Sequence, residues 1–247
     1  LASRRIMTSY LLLKCDFHSH YHPYGDKPET MVKAFFNEGY DCMAQTEHSH
    51  RIRSLDDEHK MKDWVRENYG SDFIYIVGEE IDFGPGKCRG HLLSLFIEEY
   101  ITPETKEGEL ISLKDAVDRV HEQRGLAFLA HDRDWKARGL EPHWNARKGA
   151  SLDGWEVCTS SQNGSLLSHP HEAMREGYII LSNTDAHRVE DVVRWGKFCH
   201  TYVFARERSV EAVKEALVER RTVAYCKGLL FGKKEWVIRV RSIFPRI

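Results

Sequence analysis

The hydrophobic and polar residues of this chain follow a recurring order: an amphipathic helical pattern, a glycine, a short apolar run and then polar residues. Ser112 has a side chain suited to an N-cap, a further helix begins at Ser209, and apolar residues follow each of them at helical spacing. Gly39 has the position of a helix terminator. Helices are therefore predicted over residues 28–38, 54–69, 112–124 and 209–220, and a further one ends at Gly177.

The apolar runs that follow these helices predict β-strands. They include YLLL, FIYIV, LAFL and YIIL, and HLLSLF, DGWEV and FCHTYVF predict additional strands. Strands of about 4–8 residues that alternate with helices of about 10–15 residues are typical of parallel βαβ units and an α/β fold. In parallel barrels the carboxyl ends of the strands open towards one common mouth. We therefore expect the polar residues at the strand ends to be neighbours in space.

The length of 247 residues fits one domain over residues 1–247. We expect residues 10–225 to form its core. Residues 226–247 are expected to add a terminal hairpin or extension, with a turn at residues 232–234. With 41% hydrophobic and 30% charged residues, the composition is that of an ordinary globular protein.

The charge and the cysteine content restrict the kinds of partner that the protein is expected to bind and the cellular compartment in which it is expected to lie. The net charge of −2, without a run of lysine or arginine longer than a pair, does not favour nucleic acid as a partner. The six cysteines include no C-x-x-C pair, so we expect reduced, buried thiols in a cytoplasmic protein rather than a disulfide framework or a thiolate zinc site. The first apolar segment is too short for a signal peptide or a membrane span, and no membrane partner is expected.

Histidines and carboxylates recur where the predicted strands end. His18 and His20 are two residues apart, so both point to the same face of an extended strand, and Asp185 and His187 repeat this spacing. The other members of the set are Asp26, His48, Glu80, His91 and His131. Each has an ordinary explanation by itself, such as a hydrogen-bonded histidine or a turn aspartate. Their expected convergence at one barrel mouth predicts a multinuclear metal site.

The motifs around these residues resemble the PHP (polymerase and histidinol phosphatase) domain family. They are Asp16–His20, Thr46–His48, Gly78–Ile81, His91, Ala130–His131 and Thr184–His187. The resemblance spans about residues 10–225 and implies a distorted (βα)7 barrel with up to three divalent ions at its mouth. Glu47 and Asp132 occupy positions where the family usually has aspartate and proline, and neither is an expected ligand.

The resemblance also implies three sets of metal ligands. The first set is His18, His20, Glu80 and Asp185. The second shares Glu80 as a bridging carboxylate and adds His91 and His131. The third is Asp26, His48 and His187. Glu80 is chosen over Glu79 because the family pattern is Gly-x-Glu-Ile.

Imidazole and carboxylate ligands without thiolates suit Zn²⁺, Mn²⁺ or Fe²⁺, so two to three such ions are the expected cofactors. Neighbouring divalent ions activate a water molecule and neutralise a phosphoryl group. We therefore expect a metal-dependent phosphoesterase that hydrolyses a small organic phosphate monoester by attack of a metal-bound hydroxide, without a side-chain nucleophile. The residues expected to carry catalysis are Glu80, Asp185, His131 and, as the phosphate-binding residue, Arg133.

Several residues beside the ligands are candidates for supporting roles, although each is also explained as a surface or packing residue. The candidates are His22 and His50 as general acid, Arg51, Arg89 and Arg188 as further phosphate-binding residues, and Trp135 and Trp144 as a pocket lining. Asp16 is expected to hydrogen-bond a ligand imidazole or a neighbouring strand.

Three other functions remain as alternatives. An amidohydrolase-type enzyme acting on a non-phosphate ester or amide uses similar ligands, but such enzymes often bridge two ions with a modified lysine, and no lysine occupies a ligand position here. An exonuclease or phosphodiesterase acting on nucleotides is disfavoured by the slightly acidic chain, which lacks a basic surface interleaved with aromatic residues. A metal-binding scaffold without turnover would be favoured by missing ligands, and all nine are present.

Overall fold

A computed structural model describes residues 9–21, 26–84, 90–131, 149–160, 166–167 and 169–245. The strands are β1 Leu11–Asp16, β2 Cys42–Gln45, β3 Ile74–Phe83, β4 Gly90–Leu95, β5 Leu126–Leu129, β6 Gly154–Thr159, β7 Leu166–Leu167, β8 Ile179–Asn183, β9 Cys199–Ala205, β10 Thr222–Cys226 and β11 Leu229–Gly232. The helices are α1 Pro28–Asn37, α2 Asp56–Tyr69, α3 Leu113–Glu122, α4 Pro170–Glu176, α5 Val189–Trp195, α6 Val210–Val218 and α7 Lys234–Ile243.

Helix termini form where side chains or glycines satisfy backbone groups. The Ser112 side chain accepts a hydrogen bond from the Asp115 N–H group, which confirms the predicted N-cap. The Ser209 side chain accepts one from the Ala212 N–H group, at the predicted start of its helix. Helix α4 ends at Gly177, whose φ of 83° suits a residue without a Cβ atom. Among the described residues, no helix combines the length and the apolar character that a membrane crossing requires.

The strands form one sheet in the order β11-β10-β9-β1-β2-β3-β4-β5-β6-β7, and β8 pairs with β6. The pairs β1–β2, β2–β3, β5–β6 and β6–β8 are parallel, as predicted. The prediction of parallel strands is wrong for β4, which is antiparallel to both β3 and β5, and for β9, which is antiparallel to β1. Residues 84–89 separate β3 from β4, and this segment is too short for the crossover connection that parallel neighbours need.

The sheet curves into a nearly closed barrel, and β8 meets β1, β9 and β10 along a junction that we call the barrel seam. Side chains bridge this seam. The Asn183 Oδ1 atom accepts a hydrogen bond of 2.8 Å from the Phe17 N–H group, and the Asp16 Oδ2 atom accepts one of 2.9 Å from the Thr184 N–H group. Asp16 therefore takes one of its two expected roles, a hydrogen bond to a neighbouring strand. The α/β barrel predicted from the sequence is present in this distorted form.

Apolar side chains fill the barrel interior and close one end of it. Phe128 of β5 lies in this interior cluster together with Leu13 and Ile74, which lie near the amino-terminal ends of β1 and β3. Val213 and Leu217 of α6 belong to the same cluster, so this helix covers the amino-terminal ends of the strands. The polar residues at the carboxyl ends therefore lie at the opposite mouth of the barrel.

The C-terminal region contains the expected hairpin, but its turn lies elsewhere. Strands β10 and β11 pair antiparallel, and Lys227 and Gly228 connect them with φ values of 49° and 85°. Two positive φ angles are typical of a type I′ hairpin turn. The predicted turn at residues 232–234 is wrong, because helix α7 begins at Lys234.

The cysteine prediction is wrong for two residues. Cys158 of β6 and Cys226 of β10 form a disulfide bond, whereas Cys15 and Cys42 are buried thiols as expected. The two bonded cysteines are 68 residues apart in the sequence. Only the packing of β6 near β10 brings them together, and no sequence spacing indicates it.

Gly154 lies at the start of β6, where a larger residue has no room. An added Cβ atom would lie 2.5 Å from both the Ile179 carbonyl oxygen and the Phe128 ring. We expect Gly154→Ala to lower the free energy of unfolding by about 1–3 kcal/mol through overpacking, measured by chemical denaturation. Gly149→Ala is the control, because its added Cβ atom meets nothing within 4 Å. Equal losses of stability in the two variants would contradict this explanation.

Candidate metal centre

The fully buried carboxylate of Glu80, in β3, lies among five histidine side chains. Its Oε1 atom lies 2.9 Å from His91 Nδ1, 2.9 Å from His131 Nε2 and 3.4 Å from His18 Nε2. Its Oε2 atom lies 2.6 Å from His48 Nδ1 and 3.5 Å from His20 Nε2. The strand ends that the sequence predicted to converge therefore do converge, with Glu80 at their centre.

Asp185 provides a second carboxylate beside Glu80. Its Oδ1 atom lies 3.3 Å from His18 Nε2 and 3.2 Å from His20 Nε2. The ring of His187 stacks on that of His20 with a centroid separation of 4.4 Å. Asp185 has a φ of 51°, in the left-handed region that aspartate adopts more readily than most residues.

Backbone hydrogen bonds continue past the strands and align these side chains. The Thr46 N–H group donates to the Ser19 carbonyl at 3.0 Å, and the Glu80 N–H group donates to the Glu47 carbonyl at 2.9 Å. Across the barrel seam, the His20 N–H group donates to the Ala186 carbonyl at 2.8 Å. The segments that carry the histidines are therefore fixed to one another and not only to their own strands.

Glu156 of β6 orients His18 and is not among the site residues predicted from the sequence. Its Oε1 atom lies 3.0 Å from His18 Nδ1 and accepts a 2.9 Å hydrogen bond from the Asn183 side-chain amide. Its Oε2 atom accepts a hydrogen bond of 3.0 Å from the His131 N–H group. With Nδ1 engaged, the Nε2 atom of His18 faces Glu80 and Asp185. The sequence signal that could have identified it is a glutamate inside the predicted strand DGWEV, and the structure shows this side chain to be fully buried.

Asp82 was also missed, although it repeats the i, i+2 spacing on β3. Its Oδ1 atom lies 3.3 Å from His91 Nε2, so His91 lies between Asp82 and Glu80. Its Oδ2 atom lies 2.6 Å from Nδ1 of His50, whose side chain is 35% exposed at the rim. The rule that placed His18 beside His20 would have placed Asp82 beside Glu80.

The protonation behaviour of the site reflects a competition between burial and charge. Burial opposes ionisation of Glu80, but the positive field of His91, His48 and His18 lowers the pKa of Glu80 well below its usual value. Burial lowers the pKa of His91, but the charge of Glu80 outweighs it and raises this pKa to about 10. The pKa of His20 is lowered well below its usual value, first by burial and then by the charge of His48. Glu80 is therefore ionised, while His20 is held neutral.

The residues fit divalent cations. His18 Nε2 and both ring nitrogens of His20 are buried and make no hydrogen bond to any residue that the structure describes, although carboxylate oxygens lie close to them. Among the described residues, histidines and carboxylates form four overlapping groups, and the donor atoms within each group lie within 4.8 Å of one another. The groups are His18–His20–Glu80, His48–Glu80–His91, His18–His131–Asp185 and His20–His48–His187. Neutral imidazoles and ionised carboxylates are the donors that Zn²⁺, Mn²⁺ and Fe²⁺ accept.

Asp26 is described but belongs to none of the donor groups found among the described residues. Its Oδ2 atom accepts a hydrogen bond of 2.9 Å from the Val189 N–H group at the start of α5. Its role as a ligand stays a prediction. Arg51 is half-buried and Arg188 is exposed. The remaining candidates lie outside the described residues: Arg133, His22, Arg89, Trp135 and Trp144.

Comparisons with known proteins find similarity in structure alone. The sequence matches no protein-family model and no curated protein significantly. A two-domain protein from Bacteroides vulgatus, which contains a predicted PHP-like metal-dependent phosphoesterase, superposes with a TM-score of 0.73. The two sequences are 23% identical, and the alignment covers 96% of this chain and 71% of that one.

Two further structures have the same fold. A protein from Bifidobacterium adolescentis, proposed to be a metal-dependent phosphoesterase, has a TM-score of 0.53 and 12% identity over 92% of this chain and 95% of that one. The lesion-specific endonuclease PfuEndoQ from Pyrococcus furiosus has a TM-score of 0.58 and 16% identity. That alignment covers 85% of this chain and 56% of the endonuclease. The chain therefore has the barrel fold of PHP-like metal-dependent phosphoesterases, as its sequence motifs predict.

Proposed function

We propose that this protein hydrolyses phosphoric esters at a cluster of divalent metal ions held at the mouth of the barrel. The observation that carries the proposal is the buried carboxylate of Glu80, which lies within 3.5 Å of ring nitrogens from five histidines. The barrel fold of metal-dependent phosphoesterases supports it independently.

Following the expectation from the sequence, we assign the donor residues to three ligand sets, of which the first two share Glu80. We assign His18, His20, Glu80 and Asp185 to a first ion, and Glu80, His91 and His131 to a second. His48 and His187 belong to a third, with Asp26 as the further ligand expected from the sequence. When bound, neighbouring divalent ions activate a water molecule and neutralise charge on a phosphoryl group.

The chain itself positions these ligands and supplies a proton donor. Glu156 fixes the ring of His18 through Nδ1, and Asp82 holds both His91 and His50. His50 is partly exposed at the rim of the barrel mouth, and its ring centroid lies 5.0 Å from that of His48. We assign His50 as the general acid that protonates the leaving alkoxide, with its ring fixed by Asp82.

We infer that the substrate is a small organic phosphate monoester. Arg51 and Arg188, together with Arg133 as expected from the sequence, are the guanidinium groups assigned to the phosphate. The net charge of −2 argues against a long polyanion as the preferred substrate. A phosphodiester in nucleic acid is the second candidate, because an endonuclease has the same fold.

Glu80→Gln keeps the shape of the side chain but removes its negative charge. We expect this variant to lose bound metal, measured by elemental analysis after incubation with Mn²⁺ or Zn²⁺, and to lose phosphate release. Glu79→Gln is the matched control: its buried side chain accepts a hydrogen bond from the Ile101 N–H group, away from the histidines. Equal metal content in the two folded variants would refute the assignment of Glu80.

Glu156→Ala leaves the His18 ring without its Nδ1 partner. Because loss of such a partner weakens metal binding by about 10–100-fold, we expect that loss of affinity in competition with a chromogenic chelator. Glu156→Gln keeps an oxygen acceptor for His18 and should weaken binding less. An unchanged affinity in both variants would show that Glu156 has no part in orienting His18.

A substrate panel separates the two candidate functions. The metal-loaded protein should release phosphate from sugar, amino-acid or nucleotide monophosphates faster than it cleaves dinucleotides, single-stranded DNA or amides. The Glu80→Gln variant is tested in the same panel, and any activity that it retains is attributed to a contaminating enzyme. Cleavage of DNA without release of phosphate from any monoester would reject the monoesterase in favour of the second candidate.

A further inference from the structure

Three of the six cysteines meet in one buried group, on a different set of strands from the metal ligands. Cys158 of β6 is bonded to Cys226 of β10, with a Cα–Cα distance of 6.3 Å. Cys199 of β9 is outside this disulfide, and its Sγ atom lies 3.5 Å from the Sγ atom of Cys158. All three sulfur atoms lie within 4.8 Å of one another, and all three residues are buried.

The position of this group gives the disulfide a structural consequence. Strand β8 pairs with β6 on one side and faces the barrel seam on the other. At the seam, the Ser182 N–H group donates to Thr201 Oγ1 at 2.8 Å. The Ser182 hydroxyl donates to the Tyr225 carbonyl at 2.7 Å. The Cys158–Cys226 bond adds a covalent connection between β6 and β10 to these hydrogen bonds.

Cys199 and Cys226 are directly opposite each other in the antiparallel ladder of β9 and β10. Because they form one cross-strand pair, both of their sulfur atoms lie close to that of Cys158. We propose that Cys158, Cys199 and Cys226 form a thiol–disulfide exchange site in which Cys199 and Cys226 alternate as the partner of Cys158.

The exchange step balances within the protein. Cys199 loses its proton, and its thiolate attacks the Sγ atom of Cys158 and forms a new S–S bond. The Cys158–Cys226 bond breaks, and Cys226 leaves as a thiolate that takes up the proton released by Cys199. No electron is gained or lost overall, so this step needs no external oxidant or reductant.

The exchange moves the covalent connection from one strand to the next. In the Cys158–Cys226 form β6 is tied to β10, and in the Cys158–Cys199 form it is tied to β9, which pairs with β1. A thiolate metal site would need all three sulfurs reduced, whereas two of them are joined in the structure. The geometry therefore favours exchange over metal binding, and the proposal is independent of the proposed hydrolase activity.

Disulfide mapping of the full chain tests the proposal. The protein is equilibrated with a mixture of oxidised and reduced glutathione, quenched in acid, alkylated after denaturation and digested for mass spectrometry. We expect wild-type protein to contain Cys158–Cys226 and a smaller amount of Cys158–Cys199. Cys226→Ser should convert Cys158 mainly to the Cys158–Cys199 form, and Cys199→Ser should contain only Cys158–Cys226.

Cys42→Ser is the matched control, because Cys42 is a buried thiol of the barrel interior and should leave both forms unchanged. If Cys226→Ser folds, judged by circular dichroism, and contains no Cys158–Cys199 bond, the proposal is overturned. If that variant does not fold, the disulfide map of the wild-type protein is the deciding measurement. The Cys158–Cys199 form then supports the proposal, and its absence overturns it.

Discussion

The constraint on which the rest of this structure depends is the burial of an ionised carboxylate at the mouth of the barrel. An uncompensated buried charge costs several kcal/mol, so Glu80 needs positive partners within contact distance. Five imidazoles surround it, but they cannot all be protonated, since burial and the charge of His48 lower the pKa of His20. Protons alone are therefore poor partners for this donor set. Divalent cations satisfy the carboxylates and the neutral imidazoles together.

This cluster exists because the barrel closes with its strands in a particular register. His18 and His20 follow β1, whereas Asp185 and His187 follow β8, and no backbone ladder between β1 and β8 is described. Asp16 takes the place of a ladder by accepting hydrogen bonds from the His18 and Thr184 N–H groups. Burial raises the pKa of Asp16 to about 7, although these hydrogen bonds oppose the shift. The side chain that closes the barrel thus also aligns the two halves of the site.

The sequence predicted what depends on neighbours along the chain. The N-cap at Ser112, the helix start at Ser209 and the terminator Gly177 are local signals, and the apolar runs located the main strands. The prediction failed where distant segments decide the outcome. The Cys158–Cys226 bond is such a case, because it follows from the packing of β6 near β10. The direction of β4 is a different failure, because it follows from the short segment between β3 and β4, which is a local signal. Glu156 was missed because its partner His18 is 138 residues away, although a glutamate in an apolar strand indicates that a buried partner exists.

The backbone at Asp185 connects the fold to the chemistry of the site. A non-glycine residue at a φ of 51° is strained by about 1–2 kcal/mol relative to the right-handed region, and such strain persists only when its surroundings fix the conformation. Here the residues on both sides are held across the barrel seam: the Thr184 N–H group donates to Asp16, and the Ala186 carbonyl accepts from His20. The chain must turn at Asp185 to make both hydrogen bonds. That turn directs the carboxylate towards His18 and His20, so the interactions that close the barrel also place the second carboxylate of the candidate metal centre.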